Sequence, residues 1–413
     1  MVAERPIKRA IALAGGGPAV GLSLGALKAL KRAGITFDVW SCSCVGSWVG
    51  VVYNQADPGR EVETVTQFFK DIFRPDDEYA RFPIAGVFAP DFHGMVNDSV
   101  EFTLNPKNYA NLLVPEAIKR ASDDLLRFAA NPGQWSVSNL NSVLLNDVLA
   151  VNPISRFLTS MIFLSANNGL SRLYYPDSSF LKAIKFERLY QPGKPPIYFN
   201  AYNLTKRKLQ MFANKKGHPD YMPIGPESLC ANSALPYIVS TVTIGDDMYC
   251  EGATIDTVNF EHLLQNHPDL DEVWVSRILD RKQVRPAENL YESMNNLVML
   301  FASTTSEDDV KLFKYKLREQ NSKVRVVEIH VSHNTNYDWT WSNLEASMLA
   351  GERATEAALK TYPPAPLPVA CQPTPAACPL IAPPPAPAAA DAATPQPAAP
   401  AKKPAARKAK EKA

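Results

Sequence analysis

The sequence predicts an α/β protein built on a mostly parallel, doubly wound sheet with helices on both faces. Three observations carry that expectation. "KRAIALAGGG" (8–17) reads as a short buried strand breaking into a glycine loop. "LSLGALKALKRAGI" (22–35) has apolar residues at helical spacing and stops at Gly34, a residue type that closes helices. "FDVWSC" (37–42) returns to an apolar strand, and "VGSWVGVVYNQ" (45–55) opens a second helix. Strand, helix, strand and helix at such short intervals is the pattern of parallel strands joined by crossover helices.

Further along, "VETVTQFFKDIF", "AIKRASDDLLRFAA" and "ISRFLTSMIFL" look helical, with loops rich in Pro, Asn and Asp between them. Residues 60–190 are therefore expected to form a mostly helical insertion over the sheet. "PPIYFNAYNL" (195–204), "YIVSTVTI" (237–244), "DEVWVSRI" (271–278) and "KVRVVEIHV" (323–331) read as strands. "SNLEASMLAGERATEAALKTY" (342–362) reads as a closing helix. Beyond it, 15 of the 35 prolines fall in the last 51 residues, among alanines. Such a segment buries too little surface to offset its ordering entropy, so residues 363–413 are expected to be a disordered tail behind a folded body of residues 1–362.

Charge is unevenly placed. The tail has six basic residues (Lys402, Lys403, Arg407, Lys408, Lys410 and Lys412) against Asp391 and Glu411. A chain of net charge +1 thus divides into a basic tail and a mildly acidic body, and no specific nucleic-acid binding is expected of that body. The opening residues lack the apolar core and cleavage site of a signal peptide. No run approaches the roughly 18 apolar residues of a spanning helix. The cysteines at 42, 44, 230, 250, 371 and 378 do not form a secreted disulfide pattern. A cytoplasmic location is expected, with the tail available to attach to an anionic membrane, a nucleic acid or a polymer granule, or to solubilise the chain with no partner.

Three segments carry chemistry. "GGGPAVG" (15–21) follows a strand and precedes a helix, where glycines let backbone N–H groups converge on an anion. A tight strand-to-helix turn would explain it equally well. "CSCVG" (42–46) has the spacing of a nucleophile elbow, G-x-S-x-G, with Cys44 in the serine position, Cys42 in the first glycine position and Gly46 in the second. Two ordinary buried cysteines would also read this way. In "YCEGATIDTVNF" (249–260), Glu251 ends an apparent strand before a Gly-Ala turn, where a carboxylate can assist a nucleophile. A solvated loop glutamate is the plain reading of that residue alone.

Order and spacing together resemble the patatin-like phospholipase family. The family's glycine loop, "G-x-L-K-A-L-x-x-A-G-I" helix, strand and elbow run without a gap from Gly15 to Gly46. "ESLCANSALPYIV" (227–239) is similar to the family's "A-S-x-A-x-P" segment, and "YCEGATIDT" lies where the family has its "D-G-G" or "D-G-A" turn. The resemblance implies a three-layer α/β/α fold and hydrolysis of acyl esters by a Ser-Asp dyad, with no cofactor and no histidine. By position it puts Cys44 in the nucleophile slot and Glu251 in the acid/base slot, with Gly15, Gly16 and Gly17 as the oxyanion loop and a lipid or acyl ester as substrate.

The departures are as informative as the match. Both dyad side chains are replaced, and Val20 stands in a glycine slot. A valine there would be strained if the position needs φ > 0, unless a one-residue slip brings Gly21 into play. Cys42 adds a side chain at a crowded crossing. Ser43 and Ser47 supply hydroxyls outside the elbow register. A thiol needs less help from a base than a hydroxyl does, and a helix N-terminus favours thiolate, whereas an ionised Glu251 opposes it. Two function classes follow: a cysteine-dependent acyl hydrolase or acyltransferase acting on esters or thioesters, or an inactive patatin-fold protein that binds lipid or a partner. A redox or metal role for Cys42, Cys44 and Cys250 and an adaptor working through the tail complete the range. "FPIAGVFAPDF" (82–92) and "ISRFLTSMIFLSANNGLSRLYY" (154–175) suit an acyl groove or lid, or simply core.

Overall fold

The computed structural model describes residues 5–361 apart from residues 82, 84, 86, 91, 107–114, 145–156, 158–164, 166, 176–177, 216–217, 332–335 and 337. The tail over 363–413, most of the "ISRFLTSMIFL" segment and part of the "FPIAGVFAPDF" segment lie outside the described residues. The chain opens with β1 (Arg9–Leu13), α1 (Gly21–Arg32), β2 (Val39–Cys42), α2 (Val45–Gln55) and α3 (Glu61–Ile72). After further helices, which include Phe92–Leu104 and Pro115–Ala130, come β3 (Ile197–Asn203), β4 (Lys208–Ala213), α4 (Pro226–Asn232), β5 (Val242–Ile244) and β6 (Asp247–Glu251). Then follow β7 (Glu272–Arg277), α5 (Leu290–Glu319), β8 (Arg325–His330) and α6 (Trp341–Thr361).

The main sheet has the order β8-β7-β1-β2-β3-β6-β5, with β4 also paired to β3. Strands β8, β7, β1, β2 and β3 run parallel, while β4 and β6 run antiparallel to β3. Strand alternation divides the core in two. Ile11 and Leu13 of β1 join Leu24 and Leu27 of α1, Val49 of α2 and Leu344 of α6 on one face. Ala10 and Ala12 join Val310, Phe313 and Leu317 of α5 on the other. The result is a three-layer α/β/α architecture around a mostly parallel sheet, as the sequence predicts.

Three features differ from the sequence reading or go beyond it. "YIVSTVTI" is two strands rather than one: Tyr237–Val239 joins a small separate sheet beside Gly169–Arg172, and β5 joins the main sheet. Tyr237 at φ 73° and the break at Ser240 and Thr241 redirect the chain between them. Strand β4 and the 30-residue helix α5 are absent from that reading. Finally, α1 and α6 pack backbone to backbone, since a Cβ on Gly25 would lie 1.9 Å from the Met348 carbonyl oxygen.

Candidate active site

The register of β3 explains how two segments distant in sequence meet. β4 occupies one edge of β3 from Tyr198 to Asn203. The opposite edge is shared: β2 pairs with Ile197 and Tyr198, and β6 pairs with Ala201, Tyr202 and Asn203. β2 runs parallel to β3 and β6 antiparallel, so the two strands approach each other end to end along one edge. β2 leaves the edge at Cys42, and β6 arrives with Glu251 opposite Ala201. The elbow fills the space between them.

At the elbow, Cys44 is the residue before α2, with φ 48° and ψ −127°. A positive φ in a non-glycine residue costs on the order of 1–3 kcal/mol and persists only where its surroundings enforce it. Here the Ser43 amide donates to Leu13 O (2.9 Å), Gly46 N to Ser43 O (2.8 Å) and Ser47 N to Cys44 O (2.9 Å). Gly46 lets α2 sit directly on β1, where a Cβ would stand 2.4 Å from Leu13 O. Gly15 packs on the elbow itself, and its Cβ would lie 2.6 Å from Cys44 Cβ. Cys42 is fully buried and turns its sulfur into the core, so it does not share the position of Cys44.

The glycine loop needs no slip in register. Its left-handed residue is Gly17, at φ 51°, which opens a short turn of helix through Val20. Val20 has φ −53° and ψ −30°, ordinary right-handed geometry that a β-branched residue adopts freely. Gly15 and Gly16 therefore meet the elbow at Cys44, and Gly17 turns the loop, without strain at the valine.

Cys44 and Glu251 are brought into direct contact. The thiol is partly buried and donates to the Glu251 carboxylate, while the amides of Gly16 and Val45 donate to the sulfur. Burial, and then the Glu251 charge, hold the thiol well above its ordinary pKa, and the two amides pull it down only partially. The helix N-terminus, expected to favour thiolate, is outweighed by desolvation. Glu251 is 6% exposed, and burial lifts its carboxyl to about 7 while the bond from Cys44 lowers it. Near neutral pH the thiol thus keeps its own proton beside a carboxylate that is itself titrating. Ser43 and Ser47 are fully buried with hydroxyls lacking a hydrogen-bond partner among the described residues, so neither offers a competing nucleophile to solvent.

Three asparagines that the sequence reading passes over surround this contact. Asn259, left-handed at φ 51°, sends its Nδ2 to the Cys42 carbonyl (3.0 Å). Asn200, in the middle of β3, donates from Nδ2 to the Asp256 carbonyl (2.9 Å) and to Asn259 Oδ1. Asn232, at the end of α4, donates to the Asn200 carbonyl (2.6 Å). All three are fully buried. The visible signal was an asparagine inside an apolar strand, "YFNAY", where a polar side chain must find partners. Ser41 Oγ adds a bond to Val258 O (2.9 Å), and Asp309 of α5 accepts from Thr257 N (2.7 Å). The turn after Glu251 is therefore fastened to β2 on one side and to α5 on the other. Among the described residues no cluster of His, Cys, Asp or Glu could hold a metal ion, and no helix is long and apolar enough to cross a membrane.

Comparison with known proteins bears on this geometry. No curated protein matches the chain. Among solved structures, it is similar to the crystal structure of VipD from Legionella pneumophila, at 13% identity and a TM-score of 0.38, over 87% of this chain and 67% of that one. The profile of the patatin-like phospholipase family matches residues 11–264. That span takes in most of β1, the glycine loop, the elbow, β3 and Glu251, and the chain belongs to the patatin-like phospholipase family.

Proposed function

We propose that the chain is a lipid acyl hydrolase or acyltransferase that works through a Cys44–Glu251 dyad. Membership of a phospholipase family supports lipid acyl hydrolysis in general, and the cysteine chemistry is the added reading. The observation that carries it is Cys44 in a left-handed elbow conformation, its thiol donating to Glu251. A decayed site has no reason to keep an enforced φ of 48° together with a matched proton acceptor.

In this reading the Cys44 sulfur attacks the acyl carbonyl as its proton passes to Glu251. The backbone amides of the glycine loop stabilise the resulting oxyanion. The carbon–oxygen bond to the alcohol breaks, Glu251 returns the proton to the departing oxygen, and an acyl thioester remains on Cys44. Water or another acceptor, deprotonated by Glu251, then releases the acyl group and regenerates the thiol. A thioester substrate follows the same course with a thiol leaving. The basic residues near the C-terminus would hold the enzyme at an anionic lipid surface on the cytoplasmic side.

The test is hydrolysis of matched oxygen-ester and thioester acyl substrates by the wild type, Cys44→Ser and Cys44→Ala. Turnover by the wild type that vanishes in Cys44→Ala is the expected result. Turnover that appears only in Cys44→Ser would point to the second reading, a lipid-binding protein that has abandoned the chemistry. The raised thiol pKa favours that reading. Silence in all three variants would overturn the enzymatic reading.

A further inference from the structure

The pairing along the shared edge of β3 breaks between the end of β2 and the end of β6, and the asparagines bond across that break beside the elbow. Asn200 sits in that break, between Tyr198, the last position level with β2, and Ala201, the partner of Glu251. Its backbone carbonyl accepts from Asn232 instead of from a neighbouring strand. Its side chain reaches the turn after Glu251 at Asp256 O and Asn259 Oδ1, and its Oδ1 abuts Gly252, where a Cβ would come within 2.1 Å. Asn259 then closes the circuit onto Cys42 O, two residues before the nucleophile position. Every link is buried, so each bond is enforced by the cost of leaving its partner unpaired.

We propose that Asn259, backed by Asn200, is a positioning residue that sets the distance between Glu251 and Cys44 by tying the turn after β6 to the end of β2. Glutamate carries one methylene more than the aspartate the family uses at this place, so the turn's placement decides whether carboxylate and sulfur meet. The side chains of Asn259 and Asn200 touch neither sulfur nor carboxylate. They act through the backbone of Cys42 and of residues 252–259. The proposal deepens the cysteine-dyad reading and rests on its assignment of Cys44 and Glu251 as partners, but its test does not require turnover.

The measurement is the pH dependence of Cys44 alkylation by iodoacetamide on the full chain, with the modified Cys44 peptide quantified by mass spectrometry. Wild type, Glu251→Gln, Asn259→Gly and the double variant Asn259→Gly/Glu251→Gln are compared. Glycine keeps the left-handed backbone and deletes only the amide bonds. Asn200→Ala is the second variant should glycine fail to fold, since it removes the bonds to Asp256 O and Asn259 Oδ1 and adds no charge near the thiol. The expected result is a lower alkylation midpoint in Asn259→Gly, as in Glu251→Gln. The rate near neutral pH should rise on the order of tenfold for each pH unit by which the midpoint falls. The double variant should match Glu251→Gln alone. An unchanged midpoint in a variant that has only lost thermal stability would overturn the proposal and leave Asn259 a fold-stabilising residue. A change in midpoint that adds to that of Glu251→Gln would overturn it equally. If no variant turns over substrate while the midpoints move as expected, the enzymatic reading fails and the positioning role stands.

Discussion

The sulfur of Cys42 occupies the place where a side chain on Gly50 would begin: a Cβ there would lie 2.6 Å from Cys42 Sγ. The cysteine that replaces the first elbow glycine is thus accommodated by a glycine on the facing turn of α2. Gly50→Ala should cost about 1–3 kcal/mol of stability through overpacking. In a Cys42→Gly background the same change should be neutral or stabilising, because alanine is the better helix residue. Chemical denaturation of the two single variants and the double variant measures this coupling, and additive effects would disprove it.

Glu251 has a folded-state pKa of about 7 against an ordinary 4.5. A raised acid binds more protons folded than unfolded, so its stabilising contribution is complete at low pH and is lost as pH rises from about 4.5 to 7. The loss is up to about 3 kcal/mol. Glu251→Gln should flatten that limb of a melting-temperature profile and melt higher than the wild type at pH 8. A difference between the two profiles that does not grow from about pH 4.5 to 7 would contradict the assignment.

Activity should move the other way. In the proposed dyad Glu251 accepts the thiol proton only when ionised, so kcat/KM for an acyl ester should climb through about pH 7 and level off above it. The pH–rate profile of the wild type checks this, and a maximum below pH 6 would exclude Glu251 as the base. Under that proposal activity is expected to be highest where Glu251 contributes least to stability.

His267 marks an acid limb. Burial, with Lys8 nearby, lowers its pKa from 6.5 to about 4, and its Nε2 meets the Tyr198 hydroxyl at 3.1 Å. A lowered base binds fewer protons folded than unfolded, so stability is lost as pH falls from about 6.5 to 4. His267→Gln should remove that sensitivity while leaving the Glu251 limb intact. Thermal melts at pH 4.5 and 6.5 compare the two chains.

Gly25→Ala should be among the most damaging single substitutions, since its Cβ would meet the Met348 carbonyl at 1.9 Å and force α6 away from α1. A loss of more than about 3 kcal/mol, read by denaturant titration, is expected. A fully folded variant of near-wild-type stability would show that the helix pair separates freely.

Much of the first 55 residues was legible because its signals are local: a buried strand, a glycine loop, a capped helix and an elbow in unbroken succession. The helix α5 was not, because its buried face mixes polar and apolar residues. Asn295, Ser303 and Ser306 face inward with Met299 and Val310, while Leu290, Leu297 and Phe301 face solvent. A reading that places apolar residues inside finds no coherent stripe there. The contact of Cys44 with Glu251 was legible only through family resemblance, since it depends on two strands sharing one edge of β3. The asparagines at 232 and 259 were invisible for the same reason, and Asn200 left only the signal of a polar residue inside "YFNAY". Each looks like a turn or strand imperfection until the sheet brings them together.

The end-to-end meeting of β2 and β6 also sets an order of events during synthesis. Cys44 leaves the ribosome about 200 residues ahead of Glu251, which at about 5–20 residues per second is a delay on the order of 10–40 s. Throughout that interval the thiol lacks its proton acceptor, and for most of it β3 is missing as well. The proposed pairing of thiol and carboxylate is therefore available only once Glu251 has joined β3, and a product truncated before it carries the motif without the partner.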